Sequence, residues 1–109
     1  MKTICFDLDG VICSNTWGDY KKAKPNKKAI KKINHLFKEN YKIIIFTSRF
    51  MGRNKENVKK AHKEGYRFTY KQLNKWEVKF HKLIMGKPSY DMIVDDKSIF
   101  FKKEWFKKI

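Results

Sequence analysis

The sequence predicts an α/β fold in which an open, mostly parallel sheet carries helices on both faces. Short apolar runs alternate along the chain with amphipathic segments of helical spacing, which is typical of such a sheet. The run at 42–46 is apolar almost throughout, as expected for a parallel strand covered on both sides. The chain has 109 residues, enough for one core but too few for a second large lobe. We therefore predict a single domain over 1–109.

The first predicted strand leads directly into a pair of acidic residues. Residues 2–6 are rich in strand-favouring types, and the run stops at Asp7 and Asp9. Gly10 then supplies a turn. A polar loop with several aromatic residues follows over 12–24.

The middle of the chain alternates between helical and strand patterns. At 26–39, apolar residues recur at helical spacing and lysines occupy the other face, which predicts an amphipathic helix. The second strand is predicted at 42–46. A helical pattern returns at 54–64, where Gly65 is interpreted as the cap, and a further helical segment is predicted at 69–78.

Two more strands and a short helix are predicted in the last third. The third strand covers 81–85 and is broken by Gly-Lys-Pro at 86–88. The fourth covers 90–94 and ends at an acidic pair. The aromatic tail at 102–109 suggests a short closing helix.

Polar residues follow each predicted strand. In an open parallel sheet, binding sites form at the carboxyl ends of the strands, so these residues are expected to meet at one edge. They are Asp7 and Asp9, Thr47 and Ser48, Lys87, and Asp95 and Asp96. Carboxylates, a hydroxyl and an ammonium group together suit phosphoryl transfer assisted by a hard cation such as Mg²⁺.

Each of these groups has a chemical task in such a reaction. Asp7, with Asp95 or Asp96, would hold Mg²⁺, and Asp7 would also attack the phosphate. Lys87 and the Thr47 hydroxyl would hold the phosphoryl oxygens. Asp9 would give a proton to the leaving oxygen and later take one from water.

Four segments that carry these residues resemble, in order, the motifs of the haloacid dehalogenase-like hydrolase superfamily. They are Phe-Asp-Leu-Asp-Gly-Val at 6–11, Ile-Ile-Ile-Phe-Thr-Ser-Arg at 43–49, Gly-Lys-Pro at 86–88 and Ile-Val-Asp-Asp at 93–96. The resemblance spans nearly the whole chain. It implies a Rossmann-like phosphatase domain that depends on Mg²⁺.

By position, the resemblance implies a role for each motif residue. Asp7 matches the nucleophile that becomes an aspartyl phosphate, and Asp9 matches the general acid/base, whose backbone carbonyl also ligates the metal. Thr47 matches the phosphate-binding hydroxyl, with Ser48 beside it, and Asp95–Asp96 match the acidic fourth motif. Because the dehalogenating members lack an acid/base at the position of Asp9, phosphatase is the better interpretation.

The lysine of the third motif has more than one candidate. Lys87 matches by its place at a strand end, but it lies unusually close before Asp95, so Lys79 and Lys82 are alternatives. Which residue of the pair Asp95 and Asp96 contacts the metal stays open.

No segment is long enough for the cap domain that most members of the superfamily carry. The site is therefore expected to be open, and either to accept a large substrate or to take a lid from a second copy of the chain. The segments at 46–51 and 86–91 resemble the corresponding segments of small capless phosphatases of capsule and surface-polysaccharide biosynthesis. This narrower resemblance implies a phosphorylated sugar or a similar small metabolite as the substrate.

The formal net charge of +16 leaves two other functions open. This charge attracts anionic substrates. It comes almost wholly from lysine, however, and an A·T-rich genome would also encode a lysine-rich, solvated surface. The first alternative is a polynucleotide 3′-phosphatase with an open basic site. The second is a catalytically silent module that binds anions or nucleic acid.

Several further residues have both a structural and a functional interpretation. Arg49 and Arg53 would either contact substrate or begin a helix, and Trp17 would either stack on a substrate or pack over the sheet edge. The two cysteines have no metal or redox spacing, which suits a reduced, cytoplasmic protein. The sequence shows no signal peptide pattern and no apolar run of membrane-spanning length.

Overall fold

Three parallel strands form the sheet of this protein. The structure, a computed structural model, describes residues 2–99, 102 and 104–109. Its strands are β1 (Thr3–Phe6), β2 (Lys42–Thr47) and β3 (Lys82–Met85), hydrogen-bonded in the order β1-β2-β3. Both pairings are parallel. The predicted α/β class with an open parallel sheet is therefore confirmed.

Two helices connect the strands, and each begins at an asparagine. Helix α1 (Lys27–Lys38) starts after Asn26, whose side chain accepts a hydrogen bond from the Ala29 N–H. Helix α2 (Val58–Lys75) starts after Asn57 in the same way. Short 3-10 turns lie at Tyr20–Lys22, Gly52–Asn54 and Trp105–Lys107.

Both helices contribute to the core on one face of the sheet. Ile43, Ile45 and Leu83 share that face by alternation and are buried in one cluster with residues of α1 and α2. On the other face, Cys5 is exposed and Ile44 is half-buried. Helices were expected on both faces of the sheet. However, the connection from β1 to β2 and the connection from β2 to β3 run in the same direction across the sheet. Because such connections are right-handed, both helices lie on one face.

Gly65 lies inside α2 and does not end it, so the two separate helices predicted at 54–64 and 69–78 are wrong. The helix runs without interruption from Val58 to Lys75. A Cβ atom added at Gly65 would collide with the Phe50 ring. The glycine therefore permits close packing of the helix against that ring.

The described residues 90–94 form no strand, so the predicted fourth strand is wrong. Gly86 has a left-handed backbone, with φ of 99°, and the Lys87 N–H then donates to the Thr47 carbonyl at 3.1 Å. The chain thus crosses the end of β2 and leaves the sheet. Beyond this crossing, Met92 and Val94 are 82% and 92% exposed.

The tail contributes a buried tryptophan to the core. Trp105 packs on Phe6, with ring centroids 5.2 Å apart, and its indole N–H donates to the Val11 carbonyl at 3.2 Å. The predicted closing helix is a single 3-10 turn over the described residues, and residue 103 of that prediction lies outside them. Neither helix in the described part combines the length and apolar character needed to cross a membrane. The cytoplasmic location stays a prediction.

Candidate active site

A pocket of about 700 Å³ opens at the carboxyl ends of the three strands. Segments that follow each strand line it, as expected for an open parallel sheet. Six predicted site residues lie in its wall: Asp7, Asp9, Trp17, Ser48, Arg53 and Lys87. The sheet therefore brings groups that are far apart in sequence to one edge.

Asp7 follows β1 directly and is held by two contacts. Its Oδ1 accepts a hydrogen bond from the Leu8 N–H at 2.8 Å, and its Oδ2 lies 3.3 Å from the Lys87 ammonium. The Asp7 side chain remains 35% exposed and faces the pocket. The carboxylate is thus oriented but accessible, as a nucleophile must be.

Lys87 reaches Asp7 from the far side of the sheet. Burial lowers the pKa of its ammonium group, but a hydrogen bond with Tyr90 and the charge of Asp7 together raise it more. The pKa therefore lies above its usual value, and the group stays cationic at neutral pH. Lys82 lies at the amino end of β3, away from the pocket, and Lys79 precedes it in the chain. The geometry therefore favours Lys87 among the three lysines.

Asp9 is bound by a buried arginine. Arg49 donates from Nε to Asp9 Oδ2 at 2.8 Å and from Nη2 to Oδ1 at 2.9 Å, which is a two-point ion pair. The Arg49 side chain is fully buried, and Gln72 on α2 accepts from its Nη1 at 2.6 Å. Arg49 lies beneath the pocket, so its predicted substrate contact is replaced by a role in holding Asp9.

Cys13 completes the surroundings of Asp9. Its thiol donates to Asp9 Oδ1 at 3.4 Å. Burial, followed by the charge of Asp9, raises the pKa of Cys13 to about 12. The residue is therefore a neutral thiol at physiological pH, without the reactivity of a thiolate.

Thr47 and Ser48 take different positions at the end of β2. Thr47 is 1% exposed, and its hydroxyl accepts a hydrogen bond from the Arg49 N–H at 3.1 Å. It does not line the pocket, whereas Ser48 does. Of the two hydroxyl residues, Ser48 is therefore the one at the pocket wall, whereas Thr47 shapes the strand end.

The acidic pair of the predicted fourth motif does not line the pocket with Asp7 and Asp9. Asp95 and Asp96 are both exposed, and no group of three metal-ligating side chains forms within 2–99, 102 and 104–109. Burial raises the pKa of Cys5, and the charges of Asp7 and Asp95 add to the rise against the charge of Lys87. The four predicted carboxylates are thus not assembled into one cluster.

Arg53 fixes the loop at the pocket rim. Its Nη2 donates to the Gly18 carbonyl at 2.6 Å, and its guanidinium lies over Phe50 at 4.6 Å and Tyr20 at 5.4 Å from the ring centroids. The Phe50 N–H donates to the Tyr20 hydroxyl at 3.2 Å. The loop after β1 is therefore tied to the connection after β2.

Sequence reasoning missed several residues of the site, including four whose side chains matter most. Asn15 and Tyr90 line the pocket, while Gln72 and Cys13 hold Arg49 and Asp9. Gln72 also donates to the Tyr20 carbonyl at 2.8 Å, so it joins α2 to the loop after β1. Of these four, only Gln72 gave a signal in the sequence: it is a polar residue on the core-facing side of a predicted helix.

The fold and pocket describe an α/β protein with a candidate site at the carboxyl edge of its parallel sheet. No protein-family model matches the chain, and no curated protein matches it. The crystal structure of an MCSG target from Vibrio cholerae is similar over 100% of this chain and 89% of its own, with 26% identity and a TM-score of 0.87.

Two other solved structures share the fold at lower identity. Both are of a Pnkp1/Rnl/Hen1 complex, one of them described as an RNA repair complex, with identities of 18% and 21% and TM-scores of 0.52 and 0.55. They cover 98% of this chain, which spans only 29% and 33% of theirs.

Proposed function

We propose that this protein is a Mg²⁺-dependent phosphatase of the haloacid dehalogenase-like type. It acts on a small phosphate monoester such as a sugar phosphate, through an aspartyl phosphate at Asp7. The observation that carries the proposal is the ion pair of Asp7 with Lys87, 3.3 Å apart at the edge of a 700 Å³ pocket. This places an accessible carboxylate beside a cation that can receive phosphoryl oxygens.

The oxygen donors of the site suit Mg²⁺. This ion usually takes one or two carboxylates together with substrate phosphate and water, and does not require a cage made only of protein ligands. Asp7 supplies the first carboxylate, and Asp95, whose charge acts on Cys5 of β1 as that of Asp7 does, is our candidate for the second. The metal would offset the repulsion between the Asp7 carboxylate and the phosphate.

The reaction proceeds in two displacement steps. An Asp7 oxygen forms a bond to phosphorus while the bond to the leaving alkoxide breaks, and Asp9 gives that oxygen a proton. Water then attacks the phosphorus, its proton passes to Asp9, and Asp7 is released with inorganic phosphate. Arg49 bonds to both Asp9 oxygens and the Cys13 thiol also bonds to Oδ1, so the remaining lone pair of Oδ2 is the one that takes the proton.

The Asp7→Asn variant tests the proposal. It should lose Mg²⁺-dependent hydrolysis of glycerol phosphate almost completely, because the amide is a poor nucleophile, while its circular dichroism stays that of the native protein. Glu39→Gln is the control, since Glu39 follows α1 at the opposite edge of the sheet. Normal turnover in Asp7→Asn, or full activity of the native protein in a chelator, would refute the mechanism.

A polynucleotide 3′-phosphatase is the second candidate. The net charge of +16 and the open pocket favour it, and two structures of similar fold belong to a Pnkp1/Rnl/Hen1 complex. A 3′-phosphorylated oligonucleotide would then outcompete glycerol phosphate, with an advantage that falls steeply as salt rises. Equal competition at all salt concentrations would favour the small metabolite.

A further inference from the structure

Trp17 stands almost entirely in solvent at the rim of the pocket. Its side chain is 94% exposed, although tryptophan is among the residues that are most buried on average. Trp76 and Trp105, by contrast, belong to the core or pack against it. Trp17 therefore contributes no packing to the fold.

The backbone at Trp17 adopts an unusual conformation. Trp17 has φ of 51° and Gly18 has φ of 103°, both in the left-handed region. A bulky residue adopts that conformation only where its surroundings impose it. The hydrogen bond from Arg53 to the Gly18 carbonyl, at 2.6 Å, provides the restraint.

We propose that Trp17 is a stacking platform for the base of a nucleotide whose phosphate lies at Asp7. The proposal rests on the phosphatase function proposed above. Nucleobases stack on exposed aromatic side chains because each base has a flat π face, and this stacking tolerates any base. The pocket volume of about 700 Å³ suits a ligand of nucleotide size.

The residues around Trp17 suit a base better than a sugar. Arg53 has N–H groups beyond the one bound to Gly18, and these can donate to the ring nitrogens and carbonyls of a base. Tyr90, 46% exposed, adds a second aromatic ring to the wall from the segment after β3. Trp17 and Tyr90 thus line the pocket from two different segments of the chain.

The test compares Trp17→Ala and Trp17→Phe on substrates with and without a base. The KM for 3′-AMP, relative to that for glycerol phosphate, should rise roughly 5- to 150-fold in Trp17→Ala and much less in Trp17→Phe, which keeps a ring. Tyr70→Ala is the matched control, because Tyr70 is an exposed aromatic residue on α2 that packs on Phe80 and not on the pocket. Its KM ratio should equal that of the native protein.

A 3′-phosphorylated oligonucleotide is tested beside 3′-AMP, to show whether the base belongs to a free nucleotide or to a strand end. A rise in the KM ratio of Trp17→Ala for either substrate supports the proposal. An unchanged ratio for both, while glycerol phosphate is hydrolysed, overturns it. An equal rise for glucose 6-phosphate also overturns it, since stacking would then not select a base. Failure to hydrolyse any ester, glycerol phosphate included, refutes the phosphatase function instead.

Binding gives a readout that does not depend on turnover. In Asp7→Asn, 3′-AMP should quench tryptophan fluorescence, and adding Trp17→Phe should abolish the quenching, because the other two tryptophans lie in or against the core. Quenching that persists without Trp17 contradicts the proposed stacking.

Discussion

The two aspartates of the first motif differ in how the protein holds them. Asp9 is 19% exposed and forms a two-point pair with a fully buried arginine, whereas Asp7 is 35% exposed and pairs with Lys87 through one oxygen. A buried charge that loses its partner is strongly destabilising, while a more exposed pair contributes little. Asp9 is therefore expected to support the fold as well as the reaction.

Asp9→Asn should lower the free energy of unfolding by about 3 kcal/mol, because it leaves the Arg49 charge buried without a counterion. Asp7→Asn should lower it by about 1 kcal/mol, less than Asp9→Asn does, because Lys87 is mostly buried but keeps its hydrogen bond with Tyr90. Urea unfolding followed by circular dichroism measures both. The two variants change the net charge equally, so each is the control for the other, and equal losses would contradict the distinction.

At the scale of elements, the packing of α2 on the connection after β2 positions the site. Gly65 allows the helix to approach the Phe50 ring, and Phe50 in turn lies under the Arg53 guanidinium. Two turns further on, Gln72 binds Arg49 and the Tyr20 carbonyl. The helix thus holds both the buried charge and the pocket rim.

Gly65→Ala should destabilise the protein by about 1–3 kcal/mol, because the new methyl group collides with Phe50 and overpacks the contact. Alanine alone would favour a helix by about 1 kcal/mol, so the sign of the change reports the packing. Thermal unfolding measures it.

Gly52→Ala is the matched control for this prediction, since a Cβ atom there has no neighbour within 4 Å. Its stability should stay close to that of the native protein. A stabilised Gly65→Ala variant would show that the helix does not pack closely on Phe50.

At the scale of the whole molecule, positive charge is in large excess, and two of the cations, Arg53 and Lys87, line the pocket. The formal net charge is +16, and Lys55 is exposed two residues after Arg53. Charges on clefts raise the local concentration of anionic substrates, and salt screens this effect over a Debye length of about 10 Å at 0.1 M. Substrate capture is therefore expected to depend on ionic strength.

The KM for glycerol phosphate should rise as sodium chloride increases from low to physiological concentration, with kcat nearly constant, because screening weakens capture and not chemistry. Lys55→Gln should reduce this salt dependence. Lys75→Gln, at the last residue of α2, should leave it unchanged. Initial rates over a salt series measure the effect, and identical slopes for the two variants would contradict a local field.

Local patterns predicted most of the secondary structure. The helix predicted at 26–39 is confirmed as α1, and the strands predicted at 42–46 and 81–85 are confirmed as β2 and β3. These predictions succeed because helix and strand periods come from the backbone of a few neighbouring residues. Gly65 and the apolar run at 90–94 misled the interpretation. A glycine that caps a helix and one that admits a neighbouring ring look alike in sequence, and an apolar run becomes a strand only where an edge pairs with it.

The sequence by itself determined that carboxylates, a serine and a lysine follow the strands, and hence that Asp7, Asp9, Ser48 and Lys87 meet at one edge. Only the tertiary structure decided what each one touches. Arg49 turned inward to hold Asp9, Thr47 was buried, and Trp17 was left in solvent. The positions of the strands along the chain follow from local periods, but these contacts join residues up to 40 positions apart, and packing between elements determines them.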